Sequence, residues 1–133
     1  MTGTIIQPEG WAKPKGYANG ILDKNGILHV AGQVGWDENE VFQTHDFIGQ
    51  MAQALKNIRA IVLAAGGQVS DVVRLTWYVT DAEDYLMYQA EVGTVYRKVF
   101  GHHFPAMSLV VVRGLIEPGA LLEIEATAVL DID

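Results

Sequence analysis

Residues 72–83 read VVRLTWYVTDAE, and this stretch contains both structural periods that decide the fold. In its first eight residues, Val73, Leu75, Trp77 and Val79 alternate with Val72, Arg74, Thr76 and Tyr78. This period of two, with few charges, predicts a β-strand in which every second side chain faces the same way. The next four, Thr80–Glu83, have the spacing of a helical capping box. We therefore predict a strand over residues 72–79, followed directly by one helix that ends at Gly101.

The chain before this stretch predicts a hairpin and a long helix. Asn25-Gly26 separates two apolar runs at residues 21–22 and 27–30, which is a strong hairpin signal. An apolar stripe at steps of three and four then predicts an amphipathic helix that begins near Asp46 and ends at Gly66. Pro8, Gly10, Pro14 and Gly16 act as breakers in residues 1–19, and we predict this segment to be irregular.

The chain after it predicts two more strands, Ala106–Arg113 and Leu121–Leu130, separated by a turn at Pro118-Gly119. The short strand–helix–strand connections imply right-handed crossovers, which place both predicted helices on one face of a single sheet. The other face is left uncovered although part of it is apolar, and the mean hydropathy is +0.16. We therefore expect copies of the chain to associate and cover that face.

Composition limits the function. The 133 residues are predicted to form one domain over residues 1–133, and the lack of cysteine excludes thiolate nucleophiles and disulfides. Because the net charge is −7 and no basic run is present, we expect no nucleic acid partner. Residues 1–10 do not resemble a secretory signal and no apolar run could span a membrane, so we expect a cytoplasmic protein without a membrane partner.

No cofactor or metal is expected, since the sequence has no phosphate-binding glycine motif and the pair His102-His103 lacks the spacing of helical metal ligands. The expected partners are further copies of the chain and a small molecule.

Several stretches occur together in one order and carry a family resemblance. They are Gly16-Tyr17, Val30–Val34, Gln53–Ile58, Ala64–Arg74, Tyr78–Asp81, Phe104–Ala106 and Leu122–Ala126. On these residues the chain resembles the YjgF/YER057c/UK114 family, also called the Rid family of enamine/imine deaminases. The resemblance implies an α+β, chorismate-mutase-like mixed sheet with two helices packed on one face. It also implies a homotrimer with a central β-barrel and small-molecule clefts between subunits.

The resemblance further implies a site for hydrolysis of a C=N bond, with release of ammonia. Glu123 and Tyr17 match the family's catalytic positions, and Gly32 and Gln33 match its ligand-binding turn. The family's Pro-Ala-Arg-Ser, whose arginine binds the substrate carboxylate, is here Pro105–Ser108 with Met107 in place of arginine. Further substrate-binding candidates are Ser108, Leu109 in place of cysteine, Gly93 in place of asparagine, and His103.

Each candidate also has a structural interpretation. Glu123 and Glu125 could be solvated or paired with an arginine, and Tyr17 could pack against a neighbouring subunit. The glycine at position 32 could only bend the sheet, and Met107 could be a core residue. His103 could lie in a solvated loop, or it could supply the charge that Met107 lacks.

Three functions remain open. The first is a hydrolase or deaminase of enamines, imines or related C–N compounds, for which Met107 predicts weak activity on carboxylate-bearing substrates. The alternative is a non-catalytic trimer that binds a metabolite or acts as a holdase. An RNA-cleaving role fits poorly with the charge of −7.

Overall fold

A computed structural model describes residues 3–131. Its strands are β1 (Gly3–Ile6), β2 (Gly20–Asp23), β3 (Ile27–Val34), β4 (Val72–Val79), β5 (Ala106–Val111) and β6 (Leu122–Val129). Its helices are α1 (Phe47–Ala64), α2 (Ala82–Leu86) and α3 (Gln89–Phe100), with a turn of 3-10 helix at Val69–Asp71. The strands form one mixed sheet in the order β1-β2-β3-β6-β4-β5, in which only β4 and β5 are parallel. The predicted α+β fold with a mixed sheet is confirmed.

The hairpin and the first helix form where the sequence predicts them. Gly26 has a φ of 88°, which the turn between β2 and β3 requires. Asp46 caps α1 by accepting a hydrogen bond of 2.6 Å from the backbone N–H of Gly49, and Gly66 follows the helix with a φ of 89°. The apolar stripe of α1 is fully buried on the sheet at Met51, Leu55, Ile58 and Val62.

The prediction of one helix between β4 and Gly101 is wrong, because this segment forms two helices, α2 and α3. Asp81, not Thr80, is the N-cap of α2, and its carboxylate accepts a hydrogen bond of 2.9 Å from the N–H of Glu83. Tyr88 then leaves helical geometry with φ −121° and ψ 32° and becomes the first flanking residue of α3. The break comes where Met87 and Tyr88 are both exposed, so no buried apolar contact holds a continuous helix there.

The amino-terminal segment differs in a similar way. It was predicted to be irregular over residues 1–19, but β1 pairs antiparallel with β2, from Gly3 opposite Asp23 to Ile6 opposite Gly20. Such a short edge strand depends on a partner that lies some fifteen residues further along the chain, so the local sequence gives little sign of it. The first two residues of that predicted segment, like the last two of the predicted domain, lie outside the described residues.

The two faces of the sheet differ in their cover. Helices α1 and α3 pack on the face that contains Leu75, Trp77 and Ile124, which are buried. In the described part of the chain no helix covers the opposite face, which contains Thr76, Tyr78, Glu123 and Glu125 and is only partly buried. Val73 was predicted to share the face of Leu75, but a register shift between Val72 and Arg74 leaves it 46% exposed. We call the face without helices the open face.

None of the helices within residues 3–131 is long and apolar enough to cross a membrane.

Candidate functional site

A cleft of about 280 Å³ lies beside the irregular part of β3. The register between β3 and β6 shifts between Val30 and Gln33. The glycines at positions 32 and 35 are typical of such a β-bulge. We call this the acidic cleft, and define it by Tyr17, Gly32, Trp36, Ile116, Glu117 and Glu123. The segments before β2, after β3 and before β6 thus meet at one point on the sheet.

Gly32 is in direct contact with the side chain of Glu123. A β-carbon on Gly32 would lie 2.6 Å from both Cδ and Oε2 of Glu123. Contacts that short do not occur, so any larger residue at position 32 would displace the carboxylate. The glycine therefore sets where the carboxylate lies in the cleft.

The acidic cleft raises the pKa values of both predicted catalytic residues. Burial raises the pKa of Glu123 above its ordinary value, and the charges of Glu125 and Glu117 add to the effect. Burial likewise raises the pKa of Tyr17, with contributions from Glu40, Glu117 and Glu123. A half-buried carboxyl group with a raised pKa can both release and accept a proton closer to neutral pH than an ordinary glutamate.

Gln33 lies behind the cleft rather than in its wall. Its side chain is 2% exposed, and its amide donates hydrogen bonds to Asn19 Oδ1 at 3.2 Å and to the carbonyl of Ala31 at 3.0 Å. These bonds fix the backbone on both sides of Gly32. Gln33 was predicted to bind substrate, and its position instead supports the shape of the turn.

A buried glutamine of α1 fixes the segment before β6, which forms the wall of the acidic cleft that contains Glu117. Gln50 donates to the carbonyl of Gly119 at 2.9 Å and accepts from the N–H of Leu121 at 2.8 Å. It also donates to the carbonyl of Thr44 at 3.2 Å. Since Glu117 lies two residues before Gly119, these bonds tie the segment that carries the second cleft carboxylate to the core.

Glu125 has a structural role. Its Oε1 accepts a hydrogen bond of 2.6 Å from the hydroxyl of Tyr78 on the neighbouring strand. Among residues 3–131, neither Arg74 nor Arg113 forms an ion pair with Glu125 or Glu123. The alternative that an arginine neutralises these glutamates is therefore not what the structure contains.

A second cleft, of about 360 Å³, lies between α3 and β5. We call it the aromatic cleft, and define it by Trp77, Tyr85, Tyr96, Phe104, Met107 and Leu109. The rings of Tyr96 and Phe104 stack with their centroids 5.3 Å apart, and Tyr85 meets Trp77 edge to face at 6.5 Å. The indole Nε1 of Trp77 is buried without a hydrogen-bond partner among the described residues.

The aromatic cleft contains three of the predicted substrate-binding residues. Met107 is 43% exposed and lines the cleft together with Leu109, and Gly93 of α3 lines its other side. Met107 is therefore a surface residue at the cleft, not a core residue. The strand register pairs it with Leu75, which places it on the face that the helices cover.

The structure places the other two substrate-binding candidates outside both clefts. Ser108 alternates with Met107 on β5, and the register pairs it with Thr76 on the open face. The ring Nε2 of His103 lies 2.7 Å from the carbonyl of Val72, to which it donates, and the carbonyl of His103 accepts a 2.6 Å bond from the hydroxyl of Tyr96. His103 therefore ties the loop before β5 to β4.

The predicted catalytic pair and the predicted arginine position lie on opposite faces of the sheet. Glu123 pairs with Tyr78 and faces the open side, whereas Met107 faces the helices. One protomer therefore does not bring the two sets of residues onto one ligand. A site that uses both requires the acidic cleft of one copy and the aromatic cleft of another.

Residues 11–130 match the profile of a protein family described as Endoribonuclease L-PSP. The chain belongs to this family, the YjgF or Rid family. Two relatives support the assignment over nearly the whole chain. A RutC family protein of Pyrococcus horikoshii is 35% identical over 126 residues, 93% of this chain and 95% of the relative. The 2-iminobutanoate/2-iminopropanoate deaminase of Salmonella typhimurium is 35% identical over 132 residues, 97% of this chain and 98% of the enzyme.

Solved Rid-family structures share the fold. TdcF of E. coli, solved with bound serine, superimposes with a TM-score of 0.81 at 30% identity, over 96% of this chain and 99% of that one. The YjgF gene product of E. coli superimposes with a TM-score of 0.79 at 34% identity, over 95% and 97% of the two chains. The family predicted from the ordered sequence stretches is thus confirmed.

Several residues of this Rid-family protein were missed as site residues. Glu117 and Ile116 enter the acidic cleft from the segment before Pro118-Gly119, and Tyr85, Tyr96 and Phe104 form the aromatic cleft. Pro118-Gly119 predicts a turn, but it does not predict that the two residues before the turn enter a cleft. Tyr85 and Tyr96 lie on the stripe of the predicted second helix, which was interpreted as core, although a stripe next to a strand edge can also line a cleft.

No group of three or more potential ligand residues within the described range of this Rid-family chain could hold a metal ion.

Proposed function

We propose that this Rid-family protein hydrolyses the C=N bond of a small imine, or of the enamine that tautomerises to it. The reaction takes place in a composite cleft between neighbouring copies of a homotrimer. The similarity to a relative named as an imine deaminase, at 35% identity over 97% of the chain, supports the reaction class. The position of Glu123 against Gly32 in the acidic cleft is the observation that carries the proposal.

Glu123 acts as the proton shuttle. In its protonated form it donates to the imine nitrogen, and the resulting carboxylate then accepts a proton from the attacking water. The carbinolamine collapses to a carbonyl as the nitrogen leaves, so that imine and water become carbonyl compound and ammonia. The raised pKa of Glu123 makes its protonated form easier to reach than that of an exposed glutamate.

Tyr17 stands at the mouth of the same cleft. Its hydroxyl remains protonated throughout the physiological range, because burial and three neighbouring carboxylates raise its pKa. It can therefore donate a hydrogen bond to the substrate or to the water without supplying charge. This role suits orientation of the reactants rather than proton transfer.

Assembly supplies the other half of the site. The open face and the adjoining loop leave large apolar side chains exposed, among them Val110 at 42% and Ile116 at 96%. Such side chains are usually covered when they cluster around a cleft. A cyclic trimer that covers the open face would bring the aromatic cleft of one copy to the acidic cleft of the next.

Ammonia release tests the proposal. Imines would be generated in solution and ammonia followed with wild type, Glu123→Gln and the matched control Glu125→Gln. Loss of Glu123 should lower kcat by about 100-fold or more, whereas Glu125→Gln should lower it far less, because an amide still accepts from Tyr78 and burial, the main cause of the raised pKa of Glu123, is unchanged. Equal activity of wild type and Glu123→Gln would refute the proposed role of Glu123.

Binding without chemistry is the second candidate function, and Met107 favours it. The position that binds substrate carboxylates in the family carries an uncharged side chain here, which removes a principal anchor. A metabolite held between subunits, or a holdase role, would need no proton shuttle. A compound that raises the melting temperature equally in wild type and Glu123→Gln, and is recovered unchanged, would favour this candidate.

RNA cleavage, which the family description mentions, has little support from charge. The chain carries a net charge of −7, and two glutamates line the acidic cleft. Phosphate groups would be repelled there.

A further inference from the structure

Arg97 lies against Gly93, which lines the aromatic cleft. A β-carbon on Gly93 would be 3.1 Å from Nη1 of Arg97, and 3.9 Å from Cζ and Nη2. The two residues are four apart on α3, and helical side chains point back toward the amino terminus, so the guanidinium folds over the glycine. Glycine at position 93 lets the guanidinium lie close against the helix, beside a residue that lines this cleft.

The guanidinium of Arg97 has no partner in the described part of the chain. Within residues 3–131, the side chain of Arg97 makes no hydrogen bond to another side chain or backbone carbonyl, and no ion pair. Arg97 is also exposed at the surface of α3. An arginine in this state keeps its full donor capacity for a ligand, and a planar guanidinium matches a carboxylate with two parallel hydrogen bonds.

Two substitutions relative to the family pattern therefore occur together. Met107 removes the charge from β5, and Gly93 makes space for a charge from the next turn of α3 at the same cleft. Met107 remains as an apolar wall beside Leu109, where it can contact the carbon chain of a ligand. A cation thus lies against one residue of the cleft lining, Gly93, although the expected arginine is absent.

We propose that Arg97 binds the carboxylate of the substrate, so that this site takes small 2-imino or 2-oxo acids in spite of Met107. The inference rests on the proposed composite site. It opposes the expectation from sequence that Met107 makes carboxylate-bearing substrates poor. The acidic cleft then faces the nitrogen end of the same molecule, and the two ends of a zwitterionic imino acid meet opposite charges.

Binding of pyruvate and pyruvamide tests the role of Arg97 without requiring turnover. The two probes have nearly the same shape, but only pyruvate carries a carboxylate. Titration calorimetry would compare wild type, Arg97→Met and Lys98→Met. Lys98→Met is the matched control because it removes one exposed positive charge from the adjacent position of the same helix.

We expect pyruvate to bind wild type and Lys98→Met with similar affinity, and Arg97→Met about 10- to 100-fold more weakly. Pyruvamide should bind all three alike. Gly93→Ala should weaken pyruvate binding by only about 2- to 5-fold, because its β-carbon, 3.1 Å from Nη1, would shift the guanidinium slightly, while alanine stabilises the helix. This variant separates an effect on the ligand from an effect on folding.

The results also distinguish this inference from the proposed function. If wild type binds pyruvate through Arg97 but releases no ammonia from any imine, the hydrolase proposal fails and the role of Arg97 stands. If imines are hydrolysed but pyruvate binds Arg97→Met as well as wild type, or binds neither, the role of Arg97 is overturned and the hydrolase proposal stands.

Discussion

The position of a β-carbon on Gly32 would be 2.6 Å from the carboxyl carbon of Glu123. The bulge of β3 and the open face of β6 are thus in contact through a residue that has no side chain. The carboxylate that we assign to proton transfer lies in space that only glycine leaves free. Backbone geometry on one strand therefore sets the position of the acid on another.

Replacement of Gly32 by alanine should impair catalysis far more than folding. The added methyl group must displace the end of a flexible side chain, so the melting temperature should fall by only a few degrees. A carboxyl group moved by about 1 Å from its working position should reduce kcat by about 10- to 100-fold. Steady-state kinetics and thermal unfolding of the same preparation check this. An unchanged kcat would mean that the exact place of the carboxylate is unimportant.

Glu123→Gln should stabilise the protein at neutral pH. The folded state raises the pKa of Glu123, so the folded protein binds this proton more tightly than the unfolded chain does. Stability from Glu123 is therefore full below the unfolded pKa and decreases as pH rises through the folded one. We expect the variant to melt about 1–3 °C higher at pH 7 and equally at pH 4. Calorimetric melting at both pH values tests this, and a lower melting temperature of the variant at pH 7 would contradict it.

Tyr96 should make the folded protein sensitive to alkali. Burial raises its pKa from 10.0 to about 12, so its contribution is present below pH 10 and is lost as pH rises toward 12. Tyr96→Phe should lose less stability than wild type over that interval. At neutral pH it should cost about 1 kcal/mol, because the hydroxyl no longer donates to the carbonyl of His103. Chemical denaturation at pH 7 and pH 11 provides the measurement, and parallel losses in both proteins would argue against it.

Gln50→Leu should be destabilising, by about 1–3 kcal/mol, since three backbone groups would lose their partner and each of these hydrogen bonds is partly buried. The matched control is Gln53→Leu on the same helix. Gln53 donates only to the side chain of Asn57, and we expect a cost below about 1 kcal/mol. Urea unfolding of both variants gives the comparison. Similar costs would show that the bonds to Gly119 and Leu121 contribute little.

Val110→Lys should weaken the proposed trimer. The register places Val110 beside Tyr78 on the open face, where it is 42% exposed. Leu63→Lys is the control, because Leu63 is exposed to a similar degree but lies on α1. Sedimentation velocity should give a trimer for wild type and Leu63→Lys and smaller species for Val110→Lys. A monomeric wild type at micromolar concentration would remove the basis of the composite site.

The sequence predicts those elements whose signals are local. The turn at Asn25-Gly26, the stripe and caps of α1, and the alternation along β6 each depend on residues close in the chain. β1 and the break at Tyr88 were missed because one depends on a distant partner strand and the other on the absence of tertiary contacts. No glycine or proline lies near Tyr88 to mark that break.

The candidate site was predicted in its parts but not in its arrangement. Tyr17, Gly32 and Glu123 meet in one cleft, as the family resemblance implies, whereas Met107 and Gly93 lie in another. Alternation along β5 and β6 fixes which face each residue occupies only once the register of the whole sheet is known. The closeness of Arg97 to Gly93 follows from their spacing on the predicted helix, but the sequence does not show that Gly93 lines a cleft.

The separation of Glu123 and Met107 across the thickness of the sheet has a consequence for any assay of this protein. In the proposed composite site, each reaction centre contains residues of two chains. Dilution that dissociates the assembly would therefore lower the activity. Specific activity would then fall along the dissociation curve of the assembly.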